Sequence, residues 1–244
     1  MKTSIDINAD LGEGYDDRGI MTFISSANIA CGGHYGTEES MRAAITLAQE
    51  NGVSVGAHIS YPDKENFGRK SMNISRKNLE DSLRSQYETF HDLCLTIGTS
   101  LRHVKPHGAL YNDMTKDKEL SHVILSIIKE YNPDTRVYAL ASSCTIEVAK
   151  AMSVTVIQEA FSDRRYEGLE LMSRAKPNAV LTSEVEIISN VNNFIHDKVV
   201  DHEGRAYPVN VDSICIHGDT PAALQHAMVI HSFLKSRGIE ITAP

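Results

Sequence analysis

Seven short apolar runs punctuate the chain, at 5–9, 27–30, 53–57, 101–104, 137–140, 154–157 and 213–216, and each precedes a polar or ionisable cluster. The runs are rich in Val and Ile and show little period-two alternation, the pattern of strands covered on both faces in a parallel sheet. Stretches with helical spacing lie between them. Thr37 and Ser40 precede Met41, Ala44, Ile45 and Ala48, which share one helical face before a stop at Asn51-Gly52. Ser75 opens a longer helix on which Leu79, Leu83, Tyr87, Phe90 and Leu93 recur at helical intervals, ending at Gly98. A third helix is predicted over 119–131, closed by Asn132-Pro133. The last is predicted from about Pro221, a favoured first helical residue, through Leu224, Met228 and Phe233 to Gly238.

Strands alternating with helices predict right-handed parallel crossovers and an α/β fold. The expected architecture is a distorted (β/α) barrel of about seven parallel strands, with the polar clusters gathered where the C-terminal strand ends open. Two connections, 61–75 and 167–212, are too long for plain crossovers. The first holds Pro62, Asn66, Gly68 and Arg69 and is expected to form a mobile loop over the site. The second is expected to add a hairpin and a helix (183–196) beside the barrel. A chain of 244 residues that is 41% hydrophobic suits one domain over 1–244.

The formal charge of -8, with dispersed basic residues, argues against nucleic acid, although a local Lys/Arg pair can still hold a small anion. No run approaches the roughly 20 apolar residues of a membrane span. The chain opens as a strand with Asp6 and Asp10, not as a secretory leader. Cys31, Cys94, Cys144 and Cys215 lie far apart without a C-x-x-C pair, which fits reduced thiols in a cytoplasmic protein.

Candidate chemistry sits at the run ends. Asp10 and Glu13 belong to Asn8-Ala9-Asp10-Leu11-Gly12-Glu13-Gly14, a glycine-rich turn that is not a dinucleotide fingerprint. His34 and His58 follow the second and third runs. With Asp10 they could hold a metal, but no H-x-x-x-H pair occurs, and acid–base histidines are the preferred reading. In His103-Val104-Lys105-Pro106-His107-Gly108, a lysine ends an interior strand, where its charge must meet a partner or a substrate. Asp163-Arg164-Arg165-Tyr166 sets a carboxylate beside guanidinium groups able to grip a carboxylate or phosphate, with a solvated charge run as the alternative. His217 stands beside a helix start that favours anions, and Asp219 is a candidate cap there. Ser142-Ser143 lacks a nucleophile elbow. The chain also has no P-loop, so use of ATP would need another binding mode or another subunit.

Several blocks together carry a resemblance. They are Asp6-Ile7-Asn8-Ala9-Asp10-Leu11-Gly12-Glu13, Ser26-Ala27-Asn28-Ile29-Ala30-Cys31-Gly32, Gly56-Ala57-His58, Phe67-Gly68-Arg69, His103 through Asn112, and Ser213-Ile214-Cys215-Ile216-His217-Gly218-Asp219. Across almost its whole length the chain resembles the LamB/YcsF family, whose members are understood as the A component of 5-oxoprolinase. Departures are local: Gly33-His34-Tyr35, Phe67-Gly68-Arg69-Lys70 where the family has Phe-Gly-Arg-Arg, and a glycine replaced within 139–143. The resemblance implies ATP-dependent opening of 5-oxo-L-proline to L-glutamate, with Mg2+ accompanying the nucleotide and 5-oxoprolinase subunits B and C as partners. It also implies a barrel like those of glycoside hydrolases and deacetylases.

On that reading the catalytic candidates are Asp10, Glu13, His58, Lys105, His107 and His217. The substrate-binding candidates are Asn8, His34, Arg69, Asp163, Arg164 and Asp219. Asp10 or Glu13 would activate water, Lys105 and Arg164 would face phosphate or the substrate carboxylate, and His58, His107 or His217 would protonate the departing nitrogen. Two rivals stand beside it. One is a stand-alone metal-dependent deacetylase or amidohydrolase using Asp10, His34 and His58; the other is a non-catalytic subunit that presents substrate.

Overall fold

Strand β1 (Ser4–Leu11) alternates strictly, with Ile5, Ile7, Ala9 and Leu11 on one face and Asp6, Asn8 and Asp10 on the other, and both sets are buried. The polar set points into the lumen of a barrel. Tyr138 Oη donates to Asp6 at 2.7 Å, and Asn8 Nδ2 donates to Glu159 at 3.1 Å, across to strands that do not neighbour β1. The apolar run expected at 5–9 is therefore two-faced, in contrast to the weak alternation read from the sequence. Its inward groups satisfy one another, which makes polar side chains tolerable away from water. The computed structural model describes residues 2–218 and 222–244.

From β1 the sheet runs in parallel through β2 (Ser26–Ala30), β3 (Ser54–His58), β4 (His103–Val104), β5 (Arg136–Leu140) and β6 (Val156–Phe161). Two hairpins follow, β7 (Tyr166–Glu167) with β8 (Glu170–Leu171) and β9 (Lys198–Val200) with β10 (Ala206–Pro208). Strand β11 (Ser213–His217) then pairs with both β6 and β1 and closes the ring, as a seven-stranded parallel barrel requires. The short β12 (Glu240–Ile241) pairs with the first residues of β1.

Helices α1 (Glu38–Glu50), α2 (Arg76–Ile97), α3 (Gly108–Met114), α4 (Lys118–Tyr131), α5 (Cys144–Met152), α6 (Glu184–Phe194) and α7 (Ala223–Ser236) accompany the strands. Their ends follow local chemistry. Thr37 and Ser40 form a capping box on α1, Ser75 caps α2, and Gly98 ends α2 in the left-handed region. Leu79, Leu83, Tyr87 and Phe90 then bury one face of α2 in the core. The predicted start of α7 at Pro221 lies outside the described residues. Periodicity did not reveal α3 and α5, which are too short to display it. Among the described residues no helix is long and apolar enough to cross a membrane.

Below the pocket, Asp6 accepts hydrogen bonds from Ser25 (2.6 Å), Ser26 (2.7 Å), Tyr138 and Ser213. Burial still outweighs these donors and raises its carboxyl above the usual range. Gly56 on β3 leaves room for the His103 ring of β4, which a methyl group at residue 56 would overlap. Gly56→Ala is therefore expected to lower the unfolding free energy by about 1–3 kcal/mol, read as a lower urea midpoint at constant slope. An unchanged midpoint would show that the His103 ring is not fixed there.

Candidate active site

Pro106 cannot continue a ladder, and β4 gives way there to a turn that carries Lys105 and His107 to the barrel mouth. Backbone bonds from Lys105 to Ala57 (2.9 Å) and from His107 to Ile59 (2.8 Å) keep this turn against β3 and its continuation. The Lys105 side chain runs inward and is only 2% exposed. Its ammonium lies 3.0 Å from Asp10 Oδ1, 3.1 Å from Glu159 Oε2, 3.0 Å from Asn8 Oδ1 and 3.1 Å from Cys215 Sγ. Asn28 Nδ2 bonds both Asn8 and Asp10, and His103 Nε2 meets Asn28 Oδ1. Burial would raise Asp10, but the neighbouring His58 and Lys105 outweigh it and hold its carboxyl well below the usual range. Burial would lower Lys105, yet Asp10, Cys215 and Glu159 hold it well above the ordinary lysine value.

Beside this ion pair, Glu13, His34, His58 and His107 converge, all buried, with one donor atom from each lying within 4.8 Å of the others. Glu13 Oε1 is 2.8 Å from His34 Nε2, 3.4 Å from His107 Nδ1 and 3.9 Å from His58 Nε2. The His34 and His107 rings stack at 3.7 Å. Burial, then the neighbouring imidazoles, pushes His34 far down. Burial, followed by His58, takes His107 to about 3. The 61–75 segment packs onto this cluster, with the Phe67 ring against His34 and His107. It is fastened by Phe67 O to His107 (2.9 Å) and by Gly68 O to Ala109 (2.9 Å). Gly108, at φ 56, is needed for that approach, because a side chain there would collide with the Gly68 carbonyl.

On the opposite wall His217, at the end of β11, donates from Nδ1 to Asp163 at 2.8 and 2.9 Å. Burial pushes Asp163 up, but the charge and hydrogen bond of His217, aided by Arg174 and Arg164, leave it below its ordinary value. Arg164 is buried, donates to Met172 O at 2.5 Å, and has no partner for Nε among the described residues. Asp10, Glu13, His58, Arg69, Lys105, His107, Arg164 and His217 all line one cavity of about 520 Å³, which Arg174 and Lys116 also border.

Most of the residues singled out in the sequence therefore meet in one place. Asn8 sits just beneath the cavity, His34 behind Glu13, and Asp163 behind His217. Asp219 lies outside the described residues. The Asp10–His34–His58 metal set does not form a single cluster: His34 and His58 group with Glu13 and His107, whereas Asp10 groups with Cys215 and His217. Sequence reasoning missed Asn28, His103 and Glu159 as partners in the lumen. Their signal was the alternation of inward polar residues along β2, β4 and β6, visible only once a closed barrel is assumed.

A closed parallel barrel whose strand ends assemble carboxylates, imidazoles and cations around one cavity has the build of an α/β-barrel active site. The chain belongs to the LamB/YcsF family, whose model matches residues 5–244. It is similar to the 5-oxoprolinase A component of Neisseria meningitidis serogroup A, 41% identical over 245 residues, covering 98% of this chain and 99% of that protein. The crystal structure of the lactam utilization protein from Thermus thermophilus superposes with a TM-score of 0.92 at 32% identity, over 99% of this chain and 100% of that one. A family 4 carbohydrate esterase from Streptomyces lividans shares the fold alone, at a TM-score of 0.50 and 10% identity over 98% of this chain and 91% of that one.

Two outcomes follow from the buried charges. Lys105→Met would leave Asp10 and Glu159 facing each other without a cation and is expected to cost about 3–5 kcal/mol, measured by urea unfolding. A loss below about 1 kcal/mol would mean that the ammonium holds little together. Burial, with the Lys105 charge next, pushes His103 to about 3. Between its unfolded value near 6.5 and that folded value, the unfolded chain binds a proton that the folded chain does not. Stability from this group is thus full above about pH 6.5 and falls as pH drops toward 3, by up to about 1.4 kcal/mol per pH unit. His103→Gln should flatten that slope in urea midpoints taken from about pH 7 to about pH 4; an unaltered slope would count against a neutral His103.

Proposed function

We propose that this protein opens the ring of 5-oxo-L-proline to L-glutamate at the expense of ATP, as one member of a complex with two partners, B and C. One observation carries the reading: an Asp10 carboxylate kept ionised by Lys105 shares a cavity with a His217 imidazole held by Asp163. A base and an acid thus stand at neighbouring strand ends, where Asp10 and His217 are register partners. The similarity to proteins named as the A component of 5-oxoprolinase and as a lactam utilization protein supports the choice of substrate. A cavity of about 520 Å³ accommodates a small lactam together with a phosphoryl group.

A five-membered lactam is a poor electrophile because amide resonance stabilises it. Transfer of the γ-phosphoryl group of ATP to the lactam oxygen releases ADP and leaves an imidate-like carbon. Asp10 takes a proton from the attacking water as the new C–O bond forms. His217, as an imidazolium whose Nδ1–H is held by Asp163, gives its Nε2 proton to the ring nitrogen as the C–N bond breaks. The resulting acyl phosphate is hydrolysed by a second water to glutamate and inorganic phosphate. Arg69 and Arg164 are the cations for the substrate carboxylate and the phosphoryl oxygens, and the unpartnered Nε of Arg164 suits such an anion.

Lys105 takes a different part from the one read in the sequence. Its ammonium already faces Asp10, Glu159, Asn8 and Cys215, so it orients and charges the base without gripping phosphate. Mg2+ accompanies the nucleotide, and the partner proteins help to hold it, since the sequence has no P-loop. The same reading puts the protein in the cytoplasm, where ATP is present and its four free cysteines stay reduced.

The test combines the purified chain with its B and C partners and follows 5-oxoproline, ATP and glutamate together. Glutamate should appear in proportion to ATP cleaved, and Asp10→Asn and His217→Gln should each lower kcat by about 10²–10⁴. Glutamate formation without ATP, or turnover undiminished in both variants, would overturn the assignment.

A further inference from the structure

The tautomers of two histidines are fixed by what they touch. His58 Nδ1 lies 2.8 Å from the Lys105 carbonyl, and His107 Nε2 lies 2.9 Å from the Phe67 carbonyl. A carbonyl only accepts, so each of these nitrogens carries the proton. With one proton on each ring, the remaining nitrogens, His58 Nε2 and His107 Nδ1, point lone pairs at each other across 2.9 Å, and Asp10 Oδ2 lies 3.5 Å from His58 Nε2. Glu13 Oε1 completes a triangle with them, at 3.9 and 3.4 Å. Three such atoms are held together either by a proton shared between the two rings or by a cation bound among them.

From this geometry we infer that Glu13, His58 and His107 bind a divalent transition-metal ion at the edge of the cavity. Ligand atoms held at about 2.1 Å around a tetrahedral ion lie roughly 3.4 Å apart, and the three edges of 2.9, 3.4 and 3.9 Å bracket that spacing. Each ligating imidazole gives its other N–H to a backbone carbonyl, the outer support that metal-bound histidines use. His34 acts as a positioning residue: its Nε2 is 2.8 Å from Glu13 Oε1, and its buried Nδ1 has no partner among the described residues. Donation from Nε2 to Glu13 leaves only a lone pair without a partner, whereas ligation through Nε2 would strand an N–H. All three ligands border the cavity, so the ion has an entry path and an open face toward any bound molecule. Two imidazoles and one carboxylate favour zinc, cobalt, iron(II) or nickel over Mg2+. The inference concerns this corner alone and does not depend on the substrate proposed above.

The test uses the full chain, stripped with chelator and titrated with Zn2+ and with Co2+. One equivalent should bind, Co2+ should show the visible absorption of a low-coordinate nitrogen–oxygen site, and Zn2+ should raise Tm. Glu13→Gln and His107→Gln should each weaken binding at least tenfold. His217→Gln, which alters the neighbouring Asp10–Cys215–His217 group, should leave it unchanged. Should a variant fail to fold, 15N spectra of wild-type imidazoles decide the matter: Zn2+ should shift His58 Nε2 and His107 Nδ1. The inference falls if no stoichiometric metal binds, if binding survives loss of Glu13 and His107, or if the spectra show one proton shared by the two rings that Zn2+ does not displace.

Discussion

A lysine ammonium carried from the end of β4 across the barrel axis to Asp10 on β1 and Glu159 on β6 joins three strands that share no hydrogen-bond ladder. Taking such a cation from water is costly, and removing one partner leaves a buried charge uncompensated. The surrounding sequence answers that cost with dipoles: Asn8 accepts from Lys105, Asn28 donates to Asn8 and Asp10, and His103 meets Asn28. The lumen is consequently a polar network, whereas the outer faces of the same strands supply the apolar core under the helices. Such a network specifies one arrangement of its members more sharply than an apolar filling would, because each member has a fixed set of partners.

The arrangement divides the mouth of the barrel into two chemically distinct walls. Glu13, His34, His58 and His107 form a buried corner in which His34 and His107 are kept from protonation by burial and by the neighbouring imidazoles. Across the cavity, Asp163 and His217 form a dyad in which the carboxylate accepts from Nδ1 and fixes the orientation of the ring. Asp10 lies between them, charged by Lys105 and 3.5 Å from His58 Nε2. Carboxylate, imidazole and cationic side chains therefore face one cavity from different strand ends, so each can be tuned by its own neighbours.

Much of this was legible in the chain. The apolar runs mark the seven barrel strands, Thr37, Ser75 and Gly98 mark helix ends, and polar residues after the runs mark the mouth. What periodicity hid was the lumen. Asp6, Asn8, Asn28 and Glu159 look like interruptions of apolar strands until closure by β11 brings them face to face across the axis. Partners such as Lys105 and Asp10 are 95 residues apart in sequence, and no local pattern pairs them. Phe67 stands out in the sequence only within the Phe67-Gly68-Arg69 block, since its ring against His34 and His107 and its carbonyl to His107, from a residue with φ 54, leave no local pattern.

The charge state of Lys105 is the quantity on which the pocket turns. Labelling lysine with 13C at Cε and following the Lys105 resonance against pH measures it directly. An ammonium held by Asp10 and Glu159 should show no titration up to about pH 10.4, the ordinary lysine value. A midpoint near or below neutrality would contradict the account, since a neutral amine could neither keep Asp10 ionised nor tie β4 to β1 and β6.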